Sequence, residues 1–293
     1  YEICLSDWSS DVCSSDLVVT SKVYDGTTAT TMTNGTLVGT LAGDVLALTQ
    51  VGNFSSANVG NNLVVTANES IAVTSSNRSS VASDYSLTQP TSLTGNITKA
   101  NLSITPVTKN TQYGLGTNFN PATDFTSSGL VSGQTIGYVI LASTGSAATA
   151  NAGMYNITAS AATGGTFDIN NYSVSYANGT LNVTPAPLTV TADNQSRAYG
   201  AANPTSGTVT VGGTLYNGNA VGRATLSSSA TSIAAAGSTA HLAASSVVFS
   251  NGSAGNYNIT YVDGSLSVTQ ANLTITANNA SKRSEEHTSE LQS

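Results

Sequence analysis

The sequence predicts an all-β chain: tandem small β-sandwich-like (Ig-like or β-grasp-like) modules in an elongated array. Three observations carry this. Apolar residues alternate with Thr or Ser, as in Leu102-Ser103-Ile104-Thr105 and Leu188-Thr189-Val190-Thr191, the period of two of a half-buried strand. Gly, Asn and Asp-Gly punctuate these runs, and Leu-Lys-Glu helix-forming stretches are scarce. Finally, Ala-Asn-Leu or Ala-Pro-Leu recurs at Ala100, Ala186 and Ala271, at intervals of 86 and 85 residues, a module-sized internal repeat. Disorder is the alternative for so much Ser, Thr and Gly, but it would not hold Tyr, Ile and Leu in phase between copies.

The ends are set aside first. Residues 283–293 read RSEEHTSELQS and residues 7–17 read DWSSDVCSSDL. Both resemble a sequencing adapter translated in two frames, with Tyr1-Glu2-Ile3 fitting its upstream stretch. Residues 1–17 and 283–293 are therefore read as adapter-like, non-native segments and excluded from fold reasoning. They hold Cys4 and Cys13, Trp8, His287, seven acids (Glu2, Asp7, Asp11, Asp16, Glu285, Glu286, Glu290) and one base, Arg283. The whole chain carries 15 acids and 8 bases. The remainder, 18–282, therefore has eight acids against seven bases, a net charge of −1 rather than −7. That acidity implies no partner. Residues 18–282 hold no Cys for a disulfide framework or a thiolate zinc site, and their apolar runs, such as Val139-Ile140-Leu141-Ala142, fall far short of a bilayer span.

The first module, 18–99, opens on Lys22-Val23-Tyr24-Asp25-Gly26 and closes on Asp84-Tyr85. Pro90, in Thr88-Gln89-Pro90-Thr91, rules out a central ladder position there. The second, 100–185, opens on Ala100, carries Tyr113-Gly114 and a strand candidate at Met154-Tyr155-Asn156-Ile157, and closes on Asn171-Tyr172. The third, 186–270, repeats this with Tyr199-Gly200 and Asn256-Tyr257, and 271–282 reads as the start of a fourth. Asn178-Gly179 and Asp263-Gly264 read as two-residue type I′ hairpin loops. That register sets Tyr176 opposite Leu181, Val174 opposite Val183, Tyr261 opposite Leu266 and Ile259 opposite Val268, with Tyr176 and Tyr261 as core anchors. Pro185 and Pro187 stiffen the short link that follows.

These residues carry a family resemblance. Lys22-Val23-Tyr24-Asp25-Gly26-Thr27-Thr28-Ala29, Gly43-Asp44 and Ala57-Asn58-Val59-Gly60 resemble the YDG domain. The next two modules, with their Tyr-Gly and Asn-Tyr elements, resemble MBG-type repeats of filamentous-haemagglutinin-like bacterial surface adhesins. The resemblance covers essentially all of 18–282. It implies an extracellular, outer-membrane-associated cell-surface location, with neighbouring repeats of the same chain as the partners.

Chemistry is sparse. His241 is the one histidine outside the ends, in Ala240-His241-Leu242, with no acid near it in sequence; a Ser-His-Asp constellation would have to use it. The acids Asp25, Asp44, Glu69, Asp84, Asp124, Asp168, Asp193 and Asp263 sit mostly in turns. No Asp-x-Asp-x-Asp calcium loop occurs. Seven scattered bases leave no nucleic-acid footprint. Lys22, Lys99, Lys109 and Lys282 show no pattern for intramolecular cross-links, though Lys22 or Lys109 beside an acid would call for a mass measurement. Sequons at Asn96, Asn156, Asn178 and Asn258 follow from composition, with glycosylation as the alternative. Tyr113, Tyr138, Tyr199 and Tyr216 are read as core or turn residues, with a sugar-stacking patch as the alternative. No catalytic, cofactor-binding or metal-ligating residue is assigned and no cofactor is expected. The expected role is a stalk or spacer of a secreted adhesin. The alternatives are a module that binds host or bacterial glycans or mucin, and repeats accessory to a larger surface enzyme.

Overall fold

The computed structural model describes residues 2–5 and 17–278; the adapter-like tail, with His287 and Arg283, and the segment holding Trp8 and Cys13 lie outside them. Among the described residues there is no α-helix, only strands and three short 3-10 turns. Among these residues no helix is long and apolar enough to cross a membrane. The chain divides into two compact units, 1–184 and 185–293.

The 185–293 unit shows the plan most simply. One sheet has three strands, with Ala186–Ala192 between Val209–Gly213 and Tyr257–Val262. The other orders Gln195–Ala198, Gly264–Thr269, Thr239–Asn251, Ala220–Ser227 and Ser206–Gly207. The alternation seen in sequence becomes burial: Leu188, Val190, Leu242, Leu266 and Val268 are at most 2% exposed. Each contributes about 1.5–3 kcal/mol relative to full exposure, while the intervening Thr and Ser face outward.

Residues 100–184 repeat this plan. Ala100–Pro106 lies between Phe125–Ser128 and Tyr172–Tyr176, over a sheet of Lys109–Gln112, Gly179–Thr184, Gly153–Gly165 and Ile136–Ala142. In both modules the 13-residue strand bends at a left-handed, non-glycine residue, Ala161 (φ 50°) or Ser246 (φ 46°). The residues before residue 100 build a six-stranded sheet, a two-stranded ribbon of Asp44–Thr49 with Ser70–Ser76, and a three-stranded sheet. The last holds Glu2–Leu5 between Ser86–Thr88 and Leu37–Val38, so part of the segment set aside on sequence grounds is paired. Pro90 lies outside any strand, after Ser86–Thr88.

The two hairpins expected from sequence do not form. Tyr172–Tyr176 pairs parallel with Ala100–Pro106, whereas Gly179–Thr184 pairs in the other sheet, parallel with Lys109–Gln112 and antiparallel with Gly153–Gly165. Tyr257–Val262 and Gly264–Thr269 part in the same way. A type I′ turn needs positive φ at both loop residues, and none of Asn178, Gly179, Asp263 or Gly264 has it. Glycine is required here for close approach. A Cβ on Gly179 would lie 2.5 Å from the Pro106 carbonyl oxygen, and one on Gly264 2.3 Å from that of Ala192. The link after the second module is also shorter than its letters suggest: only Pro185 lies between Gly179–Thr184 and Ala186–Ala192, and the latter includes Pro187. Of residues 271–282, read as the start of a fourth repeat, the described part, 271–278, forms no strand, and Leu273 and Ile275 are 90% and 91% exposed; 279–282 lie outside the described residues.

Candidate functional site

The recurring Asn-Tyr and Asp-Tyr elements are internal hooks. Tyr85, Tyr172 and Tyr257 each follow a 3-10 turn and are buried. Each hydroxyl reaches a residue 41 positions upstream: Tyr85 donates to Asp44 Oδ2 at 2.5 Å, Tyr172 accepts from Val131 N at 3.1 Å, and Tyr257 accepts from Tyr216 N at 3.0 Å. One buried phenol thus fastens the same part of each module, and a buried hydroxyl needs such a partner. Hydrogen bonds from the Ser76 and Tyr85 hydroxyls hold the Asp44 carboxyl below its usual range, and Asp44 in turn pushes the Tyr85 phenol up.

A second hook uses Tyr176 and Tyr261. Both are 37% exposed rather than core anchors, and their hydroxyls accept from Ala162 N (2.9 Å) and Val247 N (3.0 Å), beside the left-handed bends.

Within the 1–184 unit the hooks also build a joint. The Tyr24 ring meets Tyr172 edge-on, with centroids 5.4 Å apart at 79°, a favoured aromatic geometry. Gln134 bridges the two, donating to the Tyr24 hydroxyl at 2.7 Å while accepting from the Tyr172 hydroxyl. The buried Asn171 accepts from Val59 N at 2.9 Å and donates to Asn58 Oδ1 at 3.0 Å. Tyr24-Asp25-Gly26, Ala57-Asn58-Val59-Gly60 and Asn171-Tyr172 therefore converge on one place. One hydrophobic cluster runs through it, including Tyr24, Ile97, Ala100, Leu102, Phe167 and Tyr172. The motifs were visible in sequence; their mutual contact was not.

Lys22 pins the loop that presents Tyr24. Its ammonium lies 2.8 Å from Asp25 Oδ1 and donates to the carbonyls of Thr27 and Ala29, each at 2.8 Å. Burial works to raise the Asp25 carboxyl, but Lys22 and the Thr27 donors together hold it below its usual range.

Lys109 also meets an acid, 2.7 Å from Asp124 Oδ1. The Lys109 hydrogen bond, then the Asn120 N–H, hold the Asp124 carboxyl low. An ionised carboxylate facing an ammonium is poorly set up for amide formation. The intact mass is therefore expected to show no loss of water at Lys109–Asp124; a cross-linked 109–124 peptide would contradict this. Because the folded pKa is depressed, the pair's stabilisation is present above the ordinary value of 3.8 and is lost as pH falls below it. In acid titrations monitored by circular dichroism, Lys109→Met is expected to unfold the 1–184 unit at higher pH than the parent does.

Glu69 is the opposite case. It is 6% exposed, and neither carboxylate oxygen finds a hydrogen-bond partner, so burial raises its pKa. The neutral acid is the compatible form, and stability is lost as pH rises through the folded pKa. Glu69→Gln is expected to raise the melting temperature at neutral pH and have little effect near pH 4; an unchanged melt at neutral pH would contradict this.

Of the other sequence candidates, His241 and Asp263 come together. The His241 side chain is 90% exposed with Nδ1 3.8 Å from Asp263 Oδ2, so an acid absent nearby in sequence is near in space. With Asn194, Tyr261 and Ser265 the pair lines an open groove. Tyr113 is buried at 3%, whereas Tyr138 and Tyr199 are 45% and 46% exposed. Asn156, Asn178 and Asn258 are exposed, and Asn96 is half-buried. Among the described residues, no three of His, Cys, Asp or Glu cluster as metal ligands.

The YDG domain model matches residues 12–93, and the MBG domain (YGX type) model matches 102–182 and 188–267. No catalytic domain is among the matched families. No curated protein matches the chain. Among solved structures, the crystal structure of the I9-I11 tandem from titin is 11% identical, covering 87% of this chain and 100% of that one, with a TM-score of 0.17; it bears on neither fold nor function. The two MBG matches take in more than half of the residues, and the chain belongs to the MBG domain (YGX type) family, with a YDG domain preceding the two MBG domains.

Proposed function

We propose that this chain is a structural spacer of a secreted bacterial surface protein of adhesin type, carrying out no catalysis. The observation that carries the reading is where the repeated residues go. Tyr24, Asn58, Asn171 and Tyr172 are consumed in internal bonds that fasten one module to the next, and a single residue, Pro185, separates Gly179–Thr184 from Ala186–Ala192. YDG and MBG domains are typical of bacterial surface-protein repeats, which supports the extracellular, cell-surface placement. The test is binding. On a glycan and mucin array the full chain is expected to give no saturable signal.

A second reading has one observation in its favour, the open groove of Asn194, His241, Tyr261 and Asp263. It offers an aromatic ring with amide, imidazole and carboxylate groups, a combination suited to a sugar. A saturable array signal lost in both His241→Ala and Asp263→Ala would establish glycan binding and displace the spacer reading.

A further inference from the structure

Tension along strands and tension across them are resisted differently. When two paired strands are dragged past each other along their axes, the hydrogen bonds between them share the load. When they are peeled from one end, the bonds break one after another. Which case applies is set by where the chain enters and leaves a module.

In the 185–293 unit the first and last segments run side by side and parallel. The pairing begins at Ala186↔Tyr257 and continues through Thr191↔Val262. Both segments then pass to the other sheet, where Gln195↔Leu266 through Ala198↔Thr269 continue the parallel pairing. The offset is 71 residues in both sheets. The second module does the same at a constant offset of 72, from Ala100↔Tyr172 to Ile104↔Tyr176 and from Lys109↔Leu181 to Gln112↔Thr184. Because the pairs are parallel, entry at Ala186 and exit at Thr269 lie at opposite ends of this double run.

The outward Ser and Thr add rungs across the same seam. Ser175 Oγ donates to Leu102 O (3.4 Å), Thr184 Oγ1 to Thr111 O (3.1 Å), Ser267 Oγ to Gln195 O (3.4 Å) and Thr269 Oγ1 to Arg197 O (3.2 Å). The exit is closed by Tyr113 N to Thr184 O at 2.9 Å and Tyr199 N to Thr269 O at 2.8 Å. This gives the Tyr-Gly element of each module a use: its tyrosine amide donates the last rung. The preceding YDG module lacks the arrangement, with two parallel pairs at an offset of 75 and three at 84.

We propose that the two MBG modules are shear clamps, built to carry tension between their ends. The inference deepens the spacer reading, since a spacer transmits the force that acts on whatever it holds out. Its test is separate: glycan binding would displace the spacer reading and leave the mechanics unaltered.

The experiment is single-molecule stretching of the full chain in a Cys4→Ser/Cys13→Ser background, at one loading rate and with two handle placements. Handles at Pro185→Cys and Gln270→Cys load the seam along its length. Handles at Pro185→Cys and Ala254→Cys grip the same end of both parallel strands and peel them apart. Matching thermal melts establish that both variants are equally folded. The expected result is a several-fold higher unfolding force, a rate-governed quantity, in the first placement. Equal forces, or a higher force on peeling, would overturn the proposal.

Discussion

Tyr172→Ala is expected to destabilise the 1–184 unit by about 3–5 kcal/mol, the range for emptying a buried aromatic site. The ring is 2% exposed, contacts Tyr24 and lies 6.1 Å from Phe167. Its hydroxyl holds both Val131 N and Gln134. Truncation removes the packing and leaves polar groups of the joint without a partner. Tyr172→Phe keeps the ring and loses only the hydroxyl, at about 1 kcal/mol. Calorimetry of the full chain reads this directly. The transition of the 1–184 unit shifts down strongly for Tyr172→Ala and slightly for Tyr172→Phe, while that of the 185–293 unit stays in place. Tyr257→Ala is expected to reverse the pattern.

The second large effect is at the crossing glycines. Gly179→Ala sets a Cβ 2.5 Å from the Pro106 carbonyl oxygen and 2.7 Å from its Cβ, and Gly264→Ala one 2.3 Å from the Ala192 oxygen. Backbone atoms of a central strand cannot step aside as a side-chain tip can. A loss at or above the upper end of the roughly 1–3 kcal/mol range for overpacking is expected for each. Gly200 is the control, with φ of +82° and nothing within 4 Å of a Cβ, so Gly200→Ala carries only conformational strain of about 1–2 kcal/mol. Denaturant titrations of the three variants separate the effects. Equal losses at Gly179 and Gly200 would show that Gly179 serves a turn and not a crossing.

That contrast explains what was legible in the sequence. Alternation gave the strand character and the inward faces, because Leu181, Val183, Leu266 and Val268 are buried whichever strand they pair with. It gave no information on pairing. Two strands joined by Asn-Gly look alike whether they fold back on each other or pass between sheets, since period two survives both. The deciding contact, Gly179 against Pro106, spans 73 positions. The same limit hid the joint: Asn171 and Asn58 are 113 residues apart, and nothing local marks either as a binding partner. The recurring Tyr172 and Tyr257 did stand out, because a hook that must reach 41 residues upstream in every module fixes both residue type and spacing.

The most direct test of the spacer account is small-angle scattering by the full chain at low concentration. If modules about 30–40 Å long, by strand rise, follow one another in series, the distance distribution should rise early and fall along a long tail reaching several module lengths. A symmetric, bell-shaped distribution of a compact globule would contradict it.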